Sequence, residues 1–65
     1  MSDFQLEQIF AELDERGLRY VRMYEANRGD YHVIAEDSHG QYHFRVWFFP
    51  DDEVRLIHYP WGYRR

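Results

Sequence analysis

The spacing of apolar residues changes once along the chain, near residue 17. Before that point the apolar residues recur every three or four positions, which is the period of one helix face. This stripe consists of Leu6, Ile9, Phe10 and Leu13. Ser2 and Gln5 have the spacing of a capping box at the helix start, and Gly17 suits the left-handed residue that ends a helix. The pattern therefore predicts a helix over residues 3–16.

Beyond Gly17 apolar and polar residues alternate, which is typical of strands with one buried face. Turn-forming residues at 27–30, 38–40 and 50–52 divide this part of the chain. The predicted strands cover residues 18–26, 30–36, 41–49 and 53–59, and residues 60–65 form a tail. Short turns favour a meander, in which consecutive strands are neighbours. We expect one domain, residues 1–65, of class α+β: a single N-terminal helix packed on one face of a four-stranded antiparallel meander (α-β-β-β-β).

The turns also predict which residues share a face of the sheet. A turn at residues 27–29 places Ala26 opposite Asp30, and a turn at residues 39–40 places Ser38 opposite Gln41. The predicted helix-covered face contains Val21, Met23, Val33, Ala35, Tyr42, Phe44, Val46 and Phe48. The opposite face contains Tyr20, Arg22, Tyr24, His32, Ile34, Glu36, His43, Arg45, Trp47 and Phe49. Two registers of the last strand fit the pattern, adding to that face either Val54, Leu56 and His58 or Arg55, Ile57 and Tyr59.

The face without a helix has the composition of a contact surface, because aromatic residues and Arg are enriched at interfaces and Lys is depleted. The residues predicted to bind a partner, or a second copy of the chain, are Tyr20, Arg22, Tyr24, His32, Arg45 and Trp47. Two alternatives remain at this stage. The tail around Trp61 and Tyr63 could fold over the face, or the aromatic rings could stack on single-stranded nucleic acid.

Charge argues against direct nucleic-acid binding, since the chain carries a net charge of −4 and every Lys-or-Arg position is Arg. One flank of the predicted helix is acidic and consists of Asp3, Glu7, Glu12, Asp14 and Glu15. Such a flank is either a solvated helix surface or an anionic surface that competes for a cationic groove. We predict this acidic flank as a second partner-binding surface.

No arrangement of residues predicts catalysis or a cofactor. In the predicted register His43 lies opposite Glu36, which ordinary cross-strand pairing explains, and no third ligand for a metal can be placed. The chain has no Cys, and its serines, Ser2 and Ser38, fall at a helix cap and a turn. We therefore predict no catalytic residues, no metal and no cofactor, and a protein that is not an enzyme.

Location and function follow only as expectations. The sequence has no apolar run near the ~20 residues that span a bilayer, no signal-peptide pattern at its start and no Cys, which favours the cytoplasm. We expect a small non-enzymatic protein-binding module, an inhibitor or adaptor of a larger complex. A phage-encoded anti-CRISPR-type inhibitor or an acidic nucleic-acid mimic would fit by size and charge. The alternative is a nucleic-acid-binding module that uses the aromatic and Arg sheet face.

Overall fold

The computed structural model describes residues 1–59, in which one α-helix precedes four strands. The elements are α1 (Asp3–Glu15), β1 (Arg19–Asn27), β2 (Asp30–Asp37), β3 (Gly40–Phe48) and β4 (Val54–His58), with a 3-10 turn at Pro50–Asp52. The strands are antiparallel neighbours in the order β1-β2-β3-β4, and the helix contacts the sheet. The predicted α+β architecture is confirmed. The predicted tail, residues 60–65, lies outside the described residues.

Both ends of the helix are fixed by the residues that the sequence indicated. Ser2 Oγ accepts from the backbone N–H of Gln5 at 3.1 Å, while the Gln5 side chain accepts from the backbone N–H of Ser2 at 2.9 Å. At the other end Gly17 has a φ of +72°, which Gly adopts without steric cost. The N–H of Leu18 donates to the carbonyl of Leu13, and the N–H of Gly17 to that of Asp14. These two bonds form a Schellman motif, which directs the chain back toward the sheet.

The apolar core lies between the helix and one face of the sheet, which we call the inner face. Its buried residues are Ile9, Leu13, Val33, Ala35, Phe44, Val46, Val54 and Leu56. The expected stripe is therefore only partly buried, because Phe10 is 44% exposed and Leu6 is half-buried. Phe48, which was expected in the core, is also exposed and instead contacts the ring of Tyr31.

A bulge in β1 makes the prediction wrong for two residues. Met23 lies opposite Val33 as expected, but the register shifts between Tyr20 and Arg22. Tyr20 consequently lies opposite Ala35 on the inner face, where its ring contacts Phe10 of the helix at 5.2 Å. Val21, at the bulge, is exposed rather than buried. A bulge inserts one residue into a strand, so it reverses the faces of the residues beyond it.

The pairing of β2 with β3 differs from the predicted pairing by two residues. Asp37 lies opposite Gly40, so the turn consists of Ser38 and His39. The Asp37 carboxylate accepts from the backbone N–H of His39 at 2.8 Å, and this Asx turn fixes the position of the hairpin. The predicted pairing of His43 with Glu36 is therefore wrong, since His43 lies opposite Ile34. The faces are still correct, because a shift of two residues preserves the alternation of side chains.

The last strand adopts one of the two registers that the sequence left open. Val54 lies opposite Phe48 and Leu56 opposite Val46, and both are buried in the core. Residues Arg55 and Ile57 therefore lie on the opposite face of the sheet, the outer face. Within residues 1–59 no helix has the length and apolar content that crossing a bilayer requires.

Helix side chains also bind the free edge of β4. Gln8 accepts from the backbone N–H of Val54 at 3.0 Å and donates to the carbonyl of Asp52 at 2.6 Å. Glu12 accepts from the backbone N–H of Leu56 at 3.1 Å. Edge strands expose backbone groups that other chains can pair with. The contacts from the helix occupy two backbone N–H groups of β4, those of Val54 and Leu56.

Candidate functional site: the outer face of the sheet

The outer face has two regions with opposite properties. One region contains two buried imidazoles, His32 and His43, and two half-buried tyrosines, Tyr24 and Tyr59, which together we call the histidine cluster. The other contains the exposed apolar residues Trp47, Phe49 and Ile57, which we call the apolar patch. The two regions are continuous along β3, because His43, Arg45 and Trp47 occupy every second position and therefore lie on the same side of that strand.

The histidine cluster joins all four strands. His32 on β2 and His43 on β3 are 4% and 5% exposed, and His32 Nδ1 lies 2.8 Å from His43 Nε2. The hydroxyl of Tyr24 on β1 lies 3.1 Å from the same His43 nitrogen. Tyr59, which follows β4, packs its ring edge-on against both imidazoles at 5.0 Å, and its N–H donates to the His43 carbonyl. Three polar atoms of the cluster therefore contact one another: the Tyr24 hydroxyl, His32 Nδ1 and His43 Nε2.

A charged pair borders the cluster. Asp30 Oδ1 accepts from Arg45 Nε at 2.9 Å and lies 3.3 Å from His32 Nε2. The His32 contact is short enough for attraction, but its geometry does not form a hydrogen bond. Burial alone would raise the pKa of Asp30. The hydrogen bond from Arg45 and the adjacent imidazole of His32 outweigh burial and hold that pKa below its ordinary value.

His43 is removed from water and lies near Arg22 and two other histidines. Burial lowers the pKa of its imidazole, and neighbouring His32, Arg22 and His58 lower it further. Arg22 reaches the cluster by lying over the Tyr24 ring, with its guanidinium carbon 5.0 Å from the ring centre. These surroundings favour the neutral form of His43 in the folded protein.

The cluster does not form the half-site for a metal that the sequence allowed us to consider. Glu36 lies on the far side of Ile34 and binds Arg19 at 2.9 Å. Among residues 1–59 no three His, Asp or Glu side chains converge in a way that could hold a metal ion.

The apolar patch is exposed to solvent. Trp47, Ile57 and Phe49 are 50%, 44% and 41% exposed, and the rings of Trp47 and Phe49 lie 6.4 Å apart. An open groove of about 660 Å³ adjoins the patch at the edge of β4. The residues lining it are Trp47, Phe49, Arg55, Leu56 and Ile57 of the sheet and Glu12, Glu15 and Arg16 of the helix. Neighbouring exposed apolar side chains with a polar rim are typical of contact sites.

The structure separates the residues of the predicted acidic flank. Glu12 points toward the sheet, binds the N–H of Leu56 and pairs with Arg16 at 3.3 Å. Glu15 lines the groove beside the apolar patch, whereas Asp14 lines a second groove, of about 440 Å³, between the helix and β1. Asp3 and Glu7 are exposed and form no ion pair with another described residue.

The predicted sheet-face set is also divided. Tyr24 and His32 belong to the histidine cluster, Arg22 stacks on Tyr24, and Arg45 binds Asp30. Tyr20 lies on the inner face, so Trp47 is the member of the set that is left exposed in the apolar patch. The possible cover by Trp61 and Tyr63 lies outside the described residues.

Sequence reasoning missed two parts of this site. It did not bring His32 and His43 into contact, and it left Asp30 out of the predicted surface. The sequence did contain a signal for the observed pairing. Asp37 stands two residues before His39, which is the spacing of an Asx turn. Comparison with family models, with curated proteins and with solved structures finds no match to this chain.

Proposed function

We propose that this chain is a small protein-binding module, an inhibitor or adaptor, that contacts its partner through the apolar patch. The observation that carries the proposal is the exposure of three large side chains, Trp47, Phe49 and Ile57, beside one another on the outer face. Exposed aromatic residues that become buried at the centre of an interface commonly dominate its binding energy. The proposal keeps the cytoplasmic setting expected of a cysteine-free chain.

The neighbouring charges support a partner of particular chemistry. Glu15 lines the groove without an ion pair to another described residue, and the chain as a whole carries a net charge of −4. Arg16 and Arg55 in the same groove are occupied by Glu12 and Glu53. A segment with an apolar side chain flanked by Lys or Arg would therefore complement the groove in both shape and charge.

Selection of binding peptides tests this proposal and does not require the identity of the partner. Random peptides displayed on phage are selected on the immobilised chain, and the affinities of recovered peptides are then measured in solution. We expect peptides that combine a large apolar residue with Lys or Arg. Trp47→Ala should weaken their binding by about tenfold or more, because truncating a central aromatic residue commonly costs over about 1.4 kcal/mol.

Two matched controls make the test specific. Phe4→Ala removes another exposed aromatic residue outside the groove, and Glu7→Arg makes the same charge change as Glu15→Arg elsewhere on the helix. We expect both controls to bind normally and Glu15→Arg to bind several-fold more weakly. Equal losses in Phe4→Ala and Trp47→Ala would contradict the proposal, as would a selection that yields no Trp47-dependent peptide.

Two further outcomes would replace the proposal with another. Light scattering that finds a dimer in the wild type and a monomer in Trp47→Ala would assign the patch to self-association. Binding of a labelled single-stranded oligonucleotide, weakening linearly with the logarithm of salt concentration, would favour the nucleic-acid alternative. That alternative has less support, because Tyr20 lies on the inner face and Tyr24 contacts His43, which leaves Trp47 as the exposed ring of the three proposed to stack on bases.

A further inference from the structure

The two buried imidazoles are close enough to share one proton. His32 Nδ1 and His43 Nε2 lie 2.8 Å apart, which is a hydrogen-bond distance between two nitrogens. One nitrogen must donate and the other must accept, whichever tautomer each ring adopts. A proton on both nitrogens would place two N–H groups head to head at this distance. The folded pair can therefore take up one extra proton but not two. That proton would bind a ring nitrogen outside the contact, either His32 Nε2 or His43 Nδ1.

The groups around the pair do not compensate for a second positive charge. The Tyr24 hydroxyl on β1 faces the pair, and the ring of Tyr59, after β4, packs against both imidazoles. Positive groups act on His43 from three strands: Arg22, His32 and His58. Asp30 on β2 is the anion beside the pair, and its carboxylate is already bound to Arg45 on β3. Double protonation would therefore leave excess positive charge in a buried site.

We infer that the histidine cluster is an acid-sensitive latch, which holds the four strands together on the outer face at neutral pH and opens when both imidazoles are protonated. Burial and the neighbouring positive groups lower the pKa of His43 in the folded chain, in agreement with this inference. An unfolded chain binds a proton on each His below about pH 6.5. Because the unfolded state binds more protons, the contribution of the latch to the free energy of unfolding is fully present above that pH and decreases as the pH falls.

The pH dependence of unfolding tests the latch. Urea unfolding of the wild type is measured by circular dichroism between pH 7.5 and 5. One proton taken up on unfolding raises the unfolding equilibrium constant about tenfold for each pH unit below about 6.5. His43→Gln should remove this dependence, because an amide oxygen can accept from Tyr24 and His32 but does not titrate. The matched control is His39→Gln, at an exposed turn, which should keep the wild-type dependence.

Two outcomes of this experiment would overturn the inference. One is a wild-type unfolding constant that does not change between pH 7 and 5. The other is a His43→Gln variant that folds and keeps the full tenfold change per pH unit. Both concern the latch alone, so they are independent of whether the apolar patch binds a protein.

A second measurement needs no variant to fold. Nitrogen-15 NMR of the wild-type imidazoles distinguishes the neutral from the protonated form of each ring. While the tyrosine resonances remain native, we expect at most one ring of the pair to become fully protonated. Two protonated rings with unchanged Tyr24 and Tyr59 resonances would overturn the inference.

Discussion

The two regions of the outer face reverse the usual relation between polarity and burial. In the histidine cluster the two imidazoles are buried and the two tyrosines are half-buried, whereas the Trp, Phe and Ile of the apolar patch are exposed. Polar groups tolerate burial when they are hydrogen-bonded, as His32 Nδ1 and His43 Nε2 are to each other. Apolar groups stay exposed where no second layer covers them, and within residues 1–59 the one helix packs on the inner face. We expect the first region to contribute stability, and we propose the second as the binding surface.

The largest expected effect tests this division directly. His43→Leu removes the shared acceptor or donor and leaves His32 Nδ1 and the Tyr24 hydroxyl without their partner. Each buried unsatisfied group costs about 1–3 kcal/mol, so we expect a loss of roughly 2–4 kcal/mol in the free energy of unfolding. Trp47→Ala should change it by about 0.5 kcal/mol or less, as surface substitutions usually do. Urea unfolding at pH 7.5, followed by circular dichroism, measures both.

A double variant separates unsatisfied polar groups from lost packing. Replacing both rings, as in His32→Leu with His43→Leu, removes donor and acceptor together and should cost less than the sum of the single changes. A double variant that is as unstable as that sum would assign the loss to packing. A Trp47→Ala variant as unstable as His43→Leu would break the division between the two regions.

The sequence predicted the elements of this fold better than it predicted the contacts between them. The helix bounds, the order of strands and most of the core followed from capping residues and from the change of hydrophobic period, which act locally. The contact between His32 and His43 depends on the hairpin register, and that register is set by the Asp37 side chain in its turn. The pattern of alternation is the same in registers two residues apart, so periodicity could not select the observed one.

The predicted position of Tyr20 was wrong for a different reason. The bulge between Tyr20 and Arg22 inserts one residue into β1, and nothing in the alternating pattern indicates where such an insertion falls. Tyr20 and Tyr24 were therefore predicted on one face, although the structure places Tyr20 against Phe10 and Tyr24 against His43.

These two tyrosines supply a matched pair with an intermediate expected effect. Tyr24→Phe removes a part-buried hydrogen bond to His43 and should lower the free energy of unfolding by about 1 kcal/mol. Tyr20→Phe should leave it almost unchanged, because the Tyr20 hydroxyl forms no hydrogen bond with another residue between 1 and 59. Thermal and urea unfolding of the two variants check the difference. Equal effects would mean that the hydroxyl of Tyr24 is not part of the cluster's stability.

The smallest expected effect concerns the carboxylate at the border of the cluster. Burial alone would raise the pKa of Asp30, but Arg45 and His32 hold that pKa below its ordinary value of 3.8. A carboxyl with a lowered pKa contributes stability above the pKa of the unfolded chain, and this contribution is lost as the pH falls through the folded pKa. Asp30→Asn should therefore be less stable than the wild type at pH 7, and the difference should shrink below about pH 4.

Acid unfolding between pH 5 and 2 measures this difference in a range separate from that of the histidines. Asp14→Asn is the matched control, because Asp14 is exposed and forms no ion pair with another described residue. We expect this control to keep the wild-type profile. If the deficit of Asp30→Asn stays constant down to pH 2, the Asp30 charge does not stabilise the border. The ionisation of the cluster would then be governed by its buried rings alone, which would sharpen the contrast with the apolar patch.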